Sequence, residues 1–413
     1  MMQRLHTART HHAHAGGLRA SAPRGGAGAL PQRPLTARVV HPADVERGTT
    51  PRVRRLALAH DAAAAQQAIG THRSSHSGGT PRARPDEAAS AGGLHGPPLA
   101  KDAKHNARRH VRVLAGHGDH LERELAVNAL CELLEGQFIS RSWLVEQGDL
   151  VENLVALAQL GTPAQKDGAA VLLCRLAIGS AKLQEAIVRV PRTIQALVRL
   201  LRGSTDVQRV NAAATVWFLA ENEEFRTAVA SHGVMLELLV ACIDQGTSPQ
   251  SEHASGALRM LAFQNEQNAL STLQIEGLPG ILLNAAKSES HGESLQAISL
   301  IAQLSCHESI SLQFRSQFAA LDDSLECLVR VLARDAQHRE AIEMKVQAAI
   351  CLRNLLIIPE VREMCPTIPD LVPVSIACFA ASDGMLRIRM LGVLKTIAED
   401  DEMRDTIVSF ASI

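Results

Sequence analysis

The chain has 413 residues, 46% of them hydrophobic and 21% charged, with a formal net charge of −1. Aromatic residues are only 2%, with eight Phe, two Trp and no Tyr, so a core must come from Leu, Ala, Val and Ile, which favours helices over sheets. The same scarcity disfavours single-stranded nucleic-acid binding by ring stacking, and no segment approaches the roughly 18 uninterrupted apolar residues of a membrane span.

The charge is unevenly divided: residues 1–110 carry a net +11 and residues 111–413 a net −12. The first region holds twelve Gly, nine Pro and eleven of the eighteen His. It has no apolar period beyond one helical turn, so it is expected to be a disordered basic leader. Within it, Val53 to Ile69 is Ala-rich enough for transient helix. Residues 1–43 contain six Arg and no acid, the charge signature of an organellar transit peptide. Ser21 is their only serine, however, and no amphipathic helix can be drawn, so a plain leader stays open beside an organellar address. No apolar core for a secretory signal follows the first charges. His11, His12 and His14 could chelate a metal ion, but they sit in a compositionally biased tail, and no metal site or cofactor is expected.

From Val111 the chain changes character. The pattern Ala-x-x-Ala/Leu-Leu-x-x-Leu closes at Leu133, Leu176, Leu219, Leu261, Leu304, Leu355 and Leu394, at intervals of 43, 43, 42, 43, 51 and 39 residues. This is a repeat array of about seven units, the first and last atypical, over residues 111–413. The spacing of Ala212, Val216 and Leu219 places one apolar face of a long helix inward. Apolar helix starts are expected 21 residues after each of the first five closing leucines, at Leu154, Leu197, Val240, Leu282 and Leu325. Between lies a short helix ending at Gly148, Gly233 or Gly277, where a left-handed residue reverses the chain. Each unit is therefore three helices. The 51-residue interval implies an insertion around Arg334–Lys345.

The eight cysteines all follow residue 110 and none forms a C-x-x-C pair. They are expected to be free thiols of a reducing compartment, intracellular and either cytoplasmic or nuclear unless residues 1–43 direct an organelle.

The stretch AAATVWFLAENEEFRTAVASHG, Ala212 to Gly233, resembles the armadillo repeats: a small-residue helix, an Asn-Glu-Glu turn, a short helix and a glycine. Ala254 to Gly277, ASGALRMLAFQNEQNALSTLQIEG, repeats it. Val207 to Ala214 matches the family's Val-Gln-x-x-Ala-Ala helix start. Related HEAT arrays share the same physics. The resemblance implies an all-α, right-handed superhelical solenoid whose third helices line a concave groove, holding an extended peptide or another protein. The implied groove positions are the third and seventh of the motif. The seventh holds Glu132, Arg175, Phe218, Met260, Gln303, Asn354 and Val393, and the third begins with Asn128.

Nuclear-import adaptors of the family need Trp at the third position and Asn at the seventh. Only Asn354 matches, and Trp217 falls one place before the seventh. The beta-catenin-like members use Lys and Arg for acidic partners, and Arg175 is the sole basic residue among the seven seventh positions. The groove thus reads as mixed and rather apolar, with Asn128, Glu132, Arg175, Phe218, Met260, Gln303 and Asn354 as candidate contacts. Phe218 and Met260 could instead pack between repeats. No Walker, H-E-x-x-H, G-x-S-x-G or dinucleotide motif is present, and His232, His253, His291, His307 and His338 fall at unrelated phases. The expectation is a monomeric, non-catalytic protein-interaction scaffold. A nuclear-transport adaptor, or a fragment of a larger armadillo-containing ubiquitin ligase, stands as the alternative.

Overall fold

The computed structural model describes residues 100–411, apart from 231, 307–310 and 336–337. The leader up to residue 99, including the 1–43 segment, the histidine cluster and the 53–69 stretch, lies outside the described residues. Among the described residues there are 21 α-helices and no strand. The first, α1 (Ala100–Arg112), opens ahead of the boundary expected at residue 111. Ala103, Ala107 and Val111 recur at one-turn spacing and are buried. Small residues among basic ones give too faint a period to stand out from a Gly- and Pro-rich context.

The array then repeats a short, a middle and a long helix. The short helices are α3 (Arg141–Val145), α6 (Ala181–Val188), α9 (Glu223–Ala230), α12 (Glu266–Leu273), α15 (Leu312–Ala319), α18 (Pro359–Arg362) and α21 (Asp401–Ala411). The middle ones are α1, α4 (Leu150–Leu160), α7 (Thr193–Leu201), α10 (Val234–Gln245), α13 (Leu278–Ala286), α16 (Ser324–Ala333) and α19 (Leu371–Ala381). The long third helices are α2 (His120–Glu135), α5 (Pro163–Ala177), α8 (Asp206–Leu219), α11 (Ser248–Ala262), α14 (His291–Ser305), α17 (Arg339–Leu356) and α20 (Gly384–Ile397). Each long helix packs on the long helix of the next unit, forming a continuous ladder. The first residue of the motif, Ala126, Ala169, Ala212, Ala254, Ala297 or Ala348, is 0–1% exposed, so a small side chain is what brings the rungs together.

Three expectations need correction. The middle helices begin at Leu150, Thr193, Val234, Leu278 and Ser324, ahead of the apolar residues taken as starts, because a helix's first turn needs capping rather than burial. The left-handed residue before them is Gly148 (φ 59) and Gly277 (φ 72), but Gly233 has φ −49. Arg192, Asp323 and Asp370 take the left-handed conformation instead, at φ 68, 62 and 57. Asp visits this region more readily than most residues, so only at Arg192 does the turn run against the residue type. Finally, the insertion is split. Helix α17 has 18 residues against 15 in α14, and the link from α14 to α15 takes 306–311 where the preceding unit uses 263–265.

One device escaped the sequence reading. Thr162, Thr205 and Thr247 each precede a third helix, with Gln165, Gln208 and Gln250 three residues on. All three buried glutamines reach back to the previous unit, and Gln165 and Gln250 also accept from the backbone N–H of the threonine that precedes their helix. Gln165 donates to the His120 carbonyl at 2.7 Å, Gln208 to the Asp167 carboxylate at 2.6 Å, and Gln250 to the Asp206 carboxylate at 3.0 Å. The repeated spacing of Thr-x-x-Gln was the available signal.

Candidate functional site

The motif's third and seventh positions lie one turn apart on the same face of each long helix, and their exposure varies along the ladder. At the α2 end, Asn128 and Glu132 are exposed. One unit further, Arg175 is half-buried and forms an ion pair with Glu135 of the preceding long helix, so its guanidinium is already matched inside the protein. Cys131, close by, is pushed up to about 12 by burial, with the Arg175 charge opposing and Glu135 and Glu132 adding.

The centre is apolar and tightly fitted. Phe218 is 4% exposed, so this ring lies inside the array rather than on its edge, and Met260 is half-buried. Of the pair taken as neighbouring anchors, only Met260 offers surface to a ligand. Trp217 stacks beside Phe218, ring centroids 6.1 Å apart and 4° between planes. Its indole lies against the next unit at Gly256, where a Cβ would come within 2.6 Å of the ring. A glycine is required there by close approach, not by backbone conformation. His253, 1% exposed, sits 5.9 Å from the indole, and neither ring nitrogen has a hydrogen-bond partner. Burial holds its imidazole down, to about 4 from an ordinary 6.5.

Beyond the centre, Gln303 and Asn354 are half-buried. The Asn354 amide donates to Ser305 Oγ at 3.0 Å and to Cys306 Sγ at 3.4 Å, so its two donors are used by the preceding unit. Val393, the last seventh position, is 0% exposed. The candidates therefore separate into exposed polar groups (Asn128, Glu132), half-buried ones (Arg175, Met260, Gln303, Asn354) and the buried Phe218. They share a ladder but do not converge on a point.

All eight cysteines are free, six of them buried, and burial raises each thiol rather than activating it, Cys174 to about 12 and Cys365 to about 11. Among the described residues no group of three or more His, Cys, Asp or Glu could hold a metal ion. No single helix there is long and apolar enough to cross a membrane. A cavity of about 470 Å³ opens beside the extra turn of α17, lined by Ile342, Lys345, Cys378 and Leu386 among others, with acidic and basic groups mixed at its mouth.

This is an armadillo-like repeat fold. An engineered protein of known structure superposes with a TM-score of 0.61 at 22% identity, covering 74% of this chain and 72% of its own. A computationally designed armadillo repeat protein for modular peptide recognition superposes with a TM-score of 0.51 at 16% identity, over 60% of this chain and 99% of its own. A further designed armadillo repeat protein does so at 0.51 and 18%, with the same coverage. No family model matches the sequence, and no curated protein matches it.

Proposed function

We propose that the array is a non-catalytic interaction scaffold that holds an extended segment of a partner protein along the ladder of third helices. The observation that carries this is the graded exposure of the seventh positions: five of the seven, Glu132, Arg175, Met260, Gln303 and Asn354, keep surface, while the central long helices α5, α8, α11 and α14 are otherwise largely core. A row of side chains recurring once per repeat suits a ligand that is itself extended. The likeness to a protein designed for modular peptide recognition supports the same reading. The free thiols fit a reducing, intracellular setting, and the protein is read as a monomer. Selection of peptides from a random displayed library on the full chain tests the proposal. Selected peptides should bind in solution and lose affinity about tenfold or more when Met260 and Gln303 are both changed to Ala, as expected when a few side chains dominate an interface. Enrichment of no peptide, or binding indifferent to the variant, would overturn it.

A further inference from the structure

At the centre of the ladder, the sixth motif residue of one long helix lies against the third residue of the next. At the centre that rung is matched in size, Trp217 against Gly256. The last rung is mismatched in charge: its sixth residue is Arg353 on α17 and its third is Arg389 on α20. The Arg353 stem lies over Gly392, its Cδ 3.2 Å from where a Cβ would be. Arg389 is half-buried, and its Nε is buried without a hydrogen-bond partner. Burial, with the neighbouring Arg353 charge added, disfavours its charged form. A third guanidinium, Arg315 on α15, donates to the Asn354 carbonyl at 3.3 Å. The charges of Arg389, Arg315 and Arg353 all act on the Cys306 thiol.

Several other arginines of the array are paired with carboxylates. Arg175 meets Glu135, Arg209 meets Asp206 and Arg362 meets Glu399. Arg353 and Arg389 make no ion pair or hydrogen bond among the described residues. Two guanidinium groups set together and partly out of water repel each other and lack their best partner, a planar oxyanion that both forks can grip. The opposite end of the same edge carries the exposed Glu132, so the surface has a polarity: acidic at α2, apolar near Met260, basic at α17–α20.

We infer that the Arg353–Arg389 rung is an anion-binding subsite, and that its occupant is a run of Asp or Glu side chains at one end of an extended partner segment. This rests on the groove reading above and adds a ligand chemistry and a direction to it. A peptide fits better than a nucleic acid, because the long helix at the other end of the ladder, α2, presents Glu132 and Glu135 rather than a continuation of basic charge, and no ring contact to Arg353 or Arg389 among the described residues offers a face to stack a base.

Fluorescence anisotropy on the full chain tests this with two labelled peptides that share the same Leu and Met residues, one ending in a run of Glu and the other in a run of Gln. The Glu peptide should bind about tenfold more tightly at low salt, an advantage that shrinks as the ionic strength rises towards 1 M. Changing Arg353 and Arg389 to Gln should make the two peptides equal without lowering Tm, since a like-charge contact is removed. Changing both to Lys should keep part of the preference, because charge remains while the fork is lost. If both peptides bind the unaltered chain equally, the subsite falls and the groove stands; if neither binds, both fall. A Glu preference that survives in the Gln variant overturns the assignment. So does a Gln variant that melts well below the parent, or tighter Arg-dependent binding of single-stranded DNA than of the Glu peptide.

Discussion

The middle of the array and its last two units are built from the same motif yet solve the stacking problem differently. The two central units are complementary: Trp217 of α8 fills the space left by Gly256 of α11, the buried Gln250 reaches back to Asp206, and Asn268 of α12 donates to the Arg226 carbonyl of α9 and the Leu261 carbonyl at 2.9 and 3.0 Å. Between α17 and α20 two arginines share a rung, the long helix is extended, and Ile388 and Leu391 on α20 are 63% and 56% exposed. In a quasi-one-dimensional array each unit is stabilised only by its neighbours, so mismatch in one rung is tolerated if adjacent rungs are well fitted. The centre therefore supplies cohesion, while the α17–α20 end is free to carry unsatisfied charge for a ligand.

The largest expected contrast comes from equivalent truncations in the two regions. Leu258, 0% exposed in the centre, should cost about 2–5 kcal/mol when changed to Ala. Ile388→Ala should stay within about 0.5 kcal/mol. Urea denaturation followed by circular dichroism measures both, and equal losses would break the comparison.

The next effect is acid lability centred on His253. Its imidazole is held to about 4 in the folded chain against 6.5 when unfolded, so the unfolded state binds the extra proton. The neutral, buried form gives its full stability above pH 6.5, and that contribution is lost as pH falls from 6.5 towards 4, reaching roughly 3 kcal/mol. The difference between the parent and His253→Leu, measured across that range, isolates this group from the carboxylates. A constant difference would show that His253 does not titrate with unfolding.

A smaller loss should follow from Gly256→Ala, since the added methyl meets the Trp217 indole at 2.6 Å. About 1–3 kcal/mol is expected, and Trp217→Leu in the same chain should recover part of it; strict additivity of the two would show that they do not touch. The smallest effect is at Thr162, whose Oγ caps the Gln165 amide at 3.3 Å. Thr162→Ala should cost about 1 kcal/mol, visible as a modest downward shift in Tm.

Much of the fold was legible because a 43-residue period in Ala and Leu reports the same local event many times. Chance matches at single positions cancel, and the register of the long helices survives. Alanine at the motif's first position is required at every rung for one reason, close helix approach, so residue type and structural role coincide there. Roles also coincide at Gly148 and Gly277, where the turn needs φ > 0. They part company at Arg192, which adopts that turn at φ 68 although its residue type does not favour it.

The edge of the ladder was less legible. Counting motif positions put Phe218 and Met260 on the same footing, yet one is buried and the other half-buried. Position along a helix sets an angle, whereas exposure depends on what the next unit places opposite, here a glycine that admits Trp217 and draws the rings inward. Arg353 and Arg389 are 36 residues apart and belong to different motif positions, so neither could be recognised as half of a charged rung. The amino-acid sequence alone determined the helical class, the repeat period and the helix faces, because these arise from contacts within one turn or one unit. Which side chains stay accessible, which charges lie unpaired and where the ladder is loose were decided only by stacking, because each is a property of two units in contact.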